Sequence, residues 1–240
     1  MTQQILNFAC ETVQADGARS TVVIPVVPHA VVIAGWTGRD LAAIEHHIDE
    51  LAALGVPRPS SVPLYYRVAC QMLTQSPEIE ALGAHSSGEA EPLFFFAQGE
   101  WWLSVASDHT DRQVESYSVA VSKQMCAKPV AAAAWRWTDV AAHQDTLELR
   151  SRILENGEWI DYQRGTFASI RPLEALRQGM PGADAPVEGM FMTCGTLGAL
   201  PNARGEGIRP ATHMQIEIYD PKLQRRIVHG YAVRTLPVVA

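Results

Sequence analysis

Apolar residues run along this chain in short β-branched or aromatic blocks, and only a few segments carry them at helical spacing. The blocks TVVIPVV and AVVIAGW predict two early strands joined at Pro28-His29. In TGRDLAAIEHHIDELAALG, by contrast, Ile44, Ile48, Leu51 and Ala52 form one helical stripe, with Thr37 or Asp40 as the N-terminal cap and Gly55 at the C-terminal end. A Pro-rich connector, GVPRPSSVP, follows, and short strands alternate with turns from Leu64 to Thr110. A weaker helix is predicted in SYSVAVSKQM, then two strands around an Asn156-Gly157 turn and a helix ending at Gly179. GMFMTCGTLGAL, HMQIEIYD and RRIVHGYAVRTL complete the set as strands. Mainly β with three helices, the pattern predicts an α+β fold with a long, bent mixed sheet.

One block carries acids where a core needs none. GEAEPLFFFAQGEWWLSVASDHT opens with Glu89 and Glu91 and closes with Asp108. In a strand, residues i and i+2 share a face about 7 Å apart, so the two glutamates stand side by side. A two-residue turn at Gln98-Gly99 or Gly99-Glu100 gives register sums of 197 or 199, and either one puts Asp108 on that face. A three-residue loop would send Asp108 to the other face. Three carboxylates so placed raise one another's pKa, and a hard divalent cation relieves them. An oxygen-only set selects Mg2+, with Mn2+ or Ca2+ as alternatives. Solvated strand ends at a sheet margin would give the same spacing.

Composition narrows the class. The 240 residues are 47% hydrophobic and 19% charged, the balance of a globular protein and not of a disordered one. The formal charge of −7, without a basic run, argues against nucleic acid and anionic membranes as partners. No apolar stretch approaches a membrane span and the N-terminus does not resemble a secretory signal, so a cytoplasmic protein is expected. Cys10, Cys70, Cys126 and Cys194 stand singly, which predicts buried free thiols and neither a zinc site nor a disulfide framework.

Other residues add chemistry around the acids. His47 and Glu50, three apart on the helix, have the spacing of a histidine tuned by a carboxylate, a pair able to deprotonate water; His46 competes for the same role. Arg112 and Lys123 suit an anionic substrate. Thr196, among small residues in CGTLGA, sits where backbone and hydroxyl can approach a ligand.

Taken in order, these pieces resemble the fumarylacetoacetate hydrolase superfamily over about residues 35 to 235. The match runs through His47-Ile-Asp-Glu50, Glu89-Ala-Glu91, Asp108-His-Thr110-Asp-Arg112, Ser122-Lys123 and Gly195-Thr196. The resemblance implies a bent β-sheet roll with a small N-terminal portion, residues 1–60, and a catalytic core, residues 61–240. It implies Mg2+ on Glu89, Glu91 and Asp108, with His47 and Glu50 activating water and Lys123 stabilising an enolate. Arg112 and Thr196 would bind substrate oxygens, joined by Arg67, which stands where a lysine commonly precedes the acidic pair. The activity implied is hydrolysis of a carbon-carbon bond in a small 2-oxo or 1,3-dicarbonyl acid, within a catabolic pathway and by a homodimer. Carbon-nitrogen hydrolysis, decarboxylation, tautomerisation or dehydration on the same site, and a non-catalytic small-acid binding protein, are the alternatives. The hairpin is shorter than the family's, SKQMCAKPVA lacks its Phe-Asp and Gly-Pro neighbourhood, and Lys128 competes with Lys123.

Overall fold

The computed structural model describes residues 4–53 and 58–239, without the side chains of residues 47, 50, 51 and 53. The principal strands are β1 (Leu6–Val13), β2 (Arg19–Val26), β3 (Ala30–Gly35), β4 (Leu64–Val68), β5 (Glu78–Leu82), β6 (Ala90–Ala97) and β7 (Glu100–Ser107). They continue with β8 (Ala133–Arg136), β9 (Glu148–Glu155), β10 (Glu158–Thr166), β11 (Met190–Thr193), β12 (His213–Asp220) and β13 (Arg225–Leu236). The helices that matter here are α1 (Leu41–Ala53), α2 (Val119–Met125) and α3 (Leu173–Gly179). Asp40 caps α1, accepting the amides of Ala42 and Ala43 at 3.0 and 3.1 Å, and Ile48 is the buried centre of its stripe. The predicted C-terminal Gly55 lies outside the described residues.

Eight strands form one mixed sheet in the order β2-β1-β8-β7-β6-β11-β3-β4, so strands from before residue 60 and after it are hydrogen-bonded together. That sheet rolls. β1 lies three strands from β6, roughly 14 Å away in a flat sheet, yet Phe8 of β1 stacks on Phe95 of β6 with ring centroids 4.2 Å apart. Phe191 of β11 joins them, 5.5 Å from Phe95. This inner cluster draws on Leu6, Ile24, Val31, Ile33, Val68 and Leu93 as well.

The outer face of β6 and β7 is covered in turn by a five-stranded sheet, β10-β9-β12-β13-β5. Phe94, Leu103 and Val105 pack there against Leu149, Tyr162, Ile216 and Tyr231. Covered on both faces, β6 has no side turned to solvent along Leu93–Ala97, which explains why LFFFA is a continuous apolar run. No helix among the described residues is long and apolar enough to cross a membrane.

The hairpin β6–β7 has the register on which the acidic site depends. Ala97 pairs with Glu100 and Ala90 with Ser107, a sum of 197, around a two-residue turn at Gln98-Gly99. Both turn residues have positive φ, 53° and 76°, as a type I′ turn requires. Glu188 fixes the turn by accepting the Gln98 and Gly99 amides at 2.9 and 3.1 Å. Asn156-Gly157 makes the same turn between β9 and β10, with φ of 52° and 84°.

Two stability measurements follow. Gln98→Asn, which suits the left-handed conformation better, should raise unfolding free energy in urea by about 0.5–1 kcal/mol. Phe95→Ala should cost about 3–5 kcal/mol, because its ring fills the centre of the roll.

Candidate functional site

The register carries past the hairpin's end. The Asp108 amide donates to the Glu89 carbonyl at 3.0 Å, so Asp108 lies directly opposite Glu89 and on the face of Glu91. That face is the inner one, shared with Leu93 and Phe95, and the three carboxylates stand where the apolar interior of the roll ends. Glu91 and Asp108 are buried, and Glu89 is nearly so.

Each acid has a different partner. Asp108 Oδ2 contacts the Lys123 ammonium and Oδ1 takes Lys128 Nζ at 2.9 Å. Glu89 pairs with Arg112 at 3.1 Å, and Arg112 is itself held by Ser87 Oγ at 2.7 Å and Glu115 at 2.9 Å. Glu91 accepts the Gly195 amide at 3.0 Å. Gly195 has a φ of 88°, and a Cβ there would lie 1.6 Å from Thr37 Oγ1, so only glycine brings this amide to the carboxylate.

The electrostatics follow from these contacts. Burial pushes the Glu91 carboxyl up to about 8, and the Asp108 charge pushes the same way. Burial also raises Glu89, against the opposing pull of Arg112. At Asp108 burial is outweighed by Lys123 and Lys128, which hold it below the usual carboxylate range. Lys123 is raised despite its burial, because Asp108, Glu91 and Glu89 all act on it. Lys128, fully buried and repelled by Lys123, is lowered.

Behind Asp108 lies a polar layer without a sequence signal of its own. His109 bonds Ser86 Oγ at 2.9 Å and Tyr231 Oη at 3.1 Å, Tyr231 bonds Ser107 Oγ at 2.8 Å, and Lys128 donates to the His109 carbonyl. Burial drives His109 down to about 3, so it is a neutral hydrogen-bonding strut. Gln163 of β10 ties the Glu-x-Glu strand to the second sheet. It accepts the Ala90 amide at 2.8 Å and donates to Thr196 Oγ1 at 2.6 Å.

The structure therefore brings together Glu89, Glu91, Asp108, Arg112 and Lys123, with Lys128 alongside. Thr196 is adjacent, but its hydroxyl donates to the Ala90 carbonyl at 2.7 Å and accepts from Gln163, so it positions the acidic strand. Arg67 is not brought in. It alternates on β4 with Tyr66 and Val68, which pack toward the inner cluster, and is exposed on the opposite face. Tyr66 takes the place beside the site instead, its ring 5.7 Å from Lys123 Nζ. His47 and Glu50 lie on α1, and their side chains are outside the described residues.

All three acids offer hard oxygen donors, the chemistry a divalent ion such as Mg2+ takes. As they stand, no three acidic, histidine or cysteine side chains among the described residues enclose an ion. Asp108 and Glu89 are engaged by ammonium and guanidinium groups, while Glu91 carries the carboxyl with the weakest compensation. The chemistry of the donor set fits the ion.

Known structures share this architecture. The protein described as Cg1458 is 15% identical with a TM-score of 0.59, the match covering 98% of this chain and 88% of that one. A 2-keto-3-deoxy-D-arabinonate dehydratase complexed with magnesium and 2,5-dioxopentanoate is 12% identical, TM-score 0.59, covering 90% and 77%. A Burkholderia cenocepacia protein described provisionally as a fumarylpyruvate hydrolase is 14% identical, TM-score 0.55, covering 99% and 98%. At these identities the likeness establishes the fold, the bent mixed-sheet roll that the sequence resemblance implies. No curated protein matches the sequence. Residues 34–231 match the family model described as "Protein of unknown function (DUF2848)". With most of its length so matched, the chain belongs to the DUF2848 family.

Proposed function

We propose that this protein is a Mg2+-dependent hydrolase that cleaves a carbon-carbon bond in a small 2-oxo or 1,3-dicarbonyl acid. The observation that carries the reading is the convergence of Glu89, Glu91 and Asp108 on one face beside Lys123, produced by the 197 register. A structural neighbour holding magnesium and a 2,5-dioxo acid supports it, as does a neighbour described as a fumarylpyruvate hydrolase.

Glu89, Glu91 and Asp108 would hold the ion, which when bound polarises a substrate carbonyl as a Lewis acid. The chain's own groups do the rest. Arg112 keeps Glu89 aimed inward through its contacts to Ser87 and Glu115. Lys128 anchors Asp108 from behind, leaving Lys123 as the cation at the front, able to hydrogen-bond an enolate oxygen as charge develops on it. His47, with Glu50 to fix its tautomer, takes a proton from the attacking water when α1 meets the site. The bond between the attacked carbonyl and the adjacent carbon then breaks, and the enolate carbon regains a proton.

A second reading, dehydration of a 2-oxo acid on the same site, is favoured by the magnesium-bearing dehydratase among the neighbours. The two differ in their need for water activation. His47→Ala should abolish hydrolysis, whereas a dehydratase would keep turnover.

The direct test is an assay of Mg2+-loaded protein on acylpyruvates, 2-oxo acids and enamide acids. Turnover of an acylpyruvate, reduced at least about 10³-fold by Asp108→Ala, is expected. Mg2+ or Mn2+ at a hundred times its Kd should raise Tm over an EDTA control by about 5 °C or more. Metal binding competes with the proton on Glu91, whose carboxyl burial pushes up to about 8. Mn2+ affinity should therefore rise between pH 6 and 8, by up to about tenfold per unit, and level off above; calorimetric titration at several pH values checks this.

A further inference from the structure

The cluster gives one of its carboxylates, Asp108, two ammonium partners. Lys128 is fully buried on a short strand paired with Leu73. It holds Asp108 Oδ1 at 2.9 Å and donates to the His109 carbonyl, so it is fixed and suffices as the partner of Asp108. Arg112 answers Glu89. Lys123 is then a second ammonium on Asp108, and its charge acts on Glu91 and Glu89 too. Lys123 and a divalent ion would therefore compete for the same Asp108 oxygen. Adding a divalent ion with every cation in place would crowd like charges in a site shielded from water, which is unfavourable.

The two lysines differ in their setting. Lys123 sits on α2, a single seven-residue helix at the periphery with Val121 and Met125 exposed on its other side. Its ammonium, buried like that of Lys128, also lies 5.7 Å from the centre of the Tyr66 ring while it contacts Asp108.

We propose that Lys123 is the resident cation of the three-carboxylate cluster, and that a divalent ion occupies the cluster only by displacing its ammonium from Asp108. Metal entry and the placing of Lys123 against the substrate are then one event. This rests on the metal-binding reading above, and the test separates the two.

The test is Mn2+ binding without substrate, read from the free-ion electron paramagnetic resonance signal, on wild type, Lys123→Met and Lys123→Arg. Removing an occupant that fills the site most of the time should tighten Mn2+ binding at least about ten-fold in Lys123→Met. Lys123→Arg, which keeps the charge, should gain less than about threefold. Lys123→Met should also have a lower Tm than wild type in EDTA and gain more from Mn2+. Equal or weaker Mn2+ binding by Lys123→Met overturns the proposal while leaving the metal site standing. Binding by none of the three overturns both. If Lys123→Met does not fold, Lys123→Gln replaces it. Failure of both to fold with Mn2+ present also overturns the proposal, because the ion would supply the missing charge.

Discussion

The acidic site depends on a turn that has room for two residues and no more. Gln98 and Gly99 both take positive φ, Glu188 holds their amides, and every cross-strand pair from Ala97–Glu100 to Ala90–Ser107 then follows. Because side chains alternate faces, one residue more or less in that turn would carry Asp108 out of the roll's interior. The aromatic core serves the same end. Stacked Phe8, Phe95 and Phe191 keep the hairpin rigid up to the point where Glu91, Glu89 and Asp108 take over the face.

Electrostatics give the site its character. Buried carboxylates this close are tolerated because their contacts differ: two lysines for Asp108, an arginine for Glu89, and for Glu91 the Gly195 amide with Lys123 acting on it through space. The unequal answers separate their protonation, leaving Asp108 charged and Glu91 readily neutral.

Much of this was legible in the chain. The Glu-x-Glu spacing and the Gln98-Gly99 turn confined the third acid to a few registers, and the ends of β12 and β13 coincide with apolar alternation that any reading finds. Strand β1 carries only a weak signal although Leu6, Phe8 and Cys10 alternate, because polar residues interleave them and no turn signal brackets the run. Thr196 and Arg67 show the harder limit. Whether a hydroxyl is spent on a neighbouring carbonyl, or which face of a strand meets the site, is decided by partners far along the chain. Gln163 is distant from the motifs in sequence, and only its polarity in a buried position marks it. Lys128 was visible as a rival to Lys123; that both would grip one aspartate was not.

The central claim is that the hairpin gathers three carboxylates around one cation position. Anomalous diffraction from crystals soaked in Mn2+ tests it most directly. A single strong peak within coordinating distance of Glu89, Glu91 and Asp108 together is the predicted result. A peak that touches only one of them, or lies elsewhere, would contradict the account.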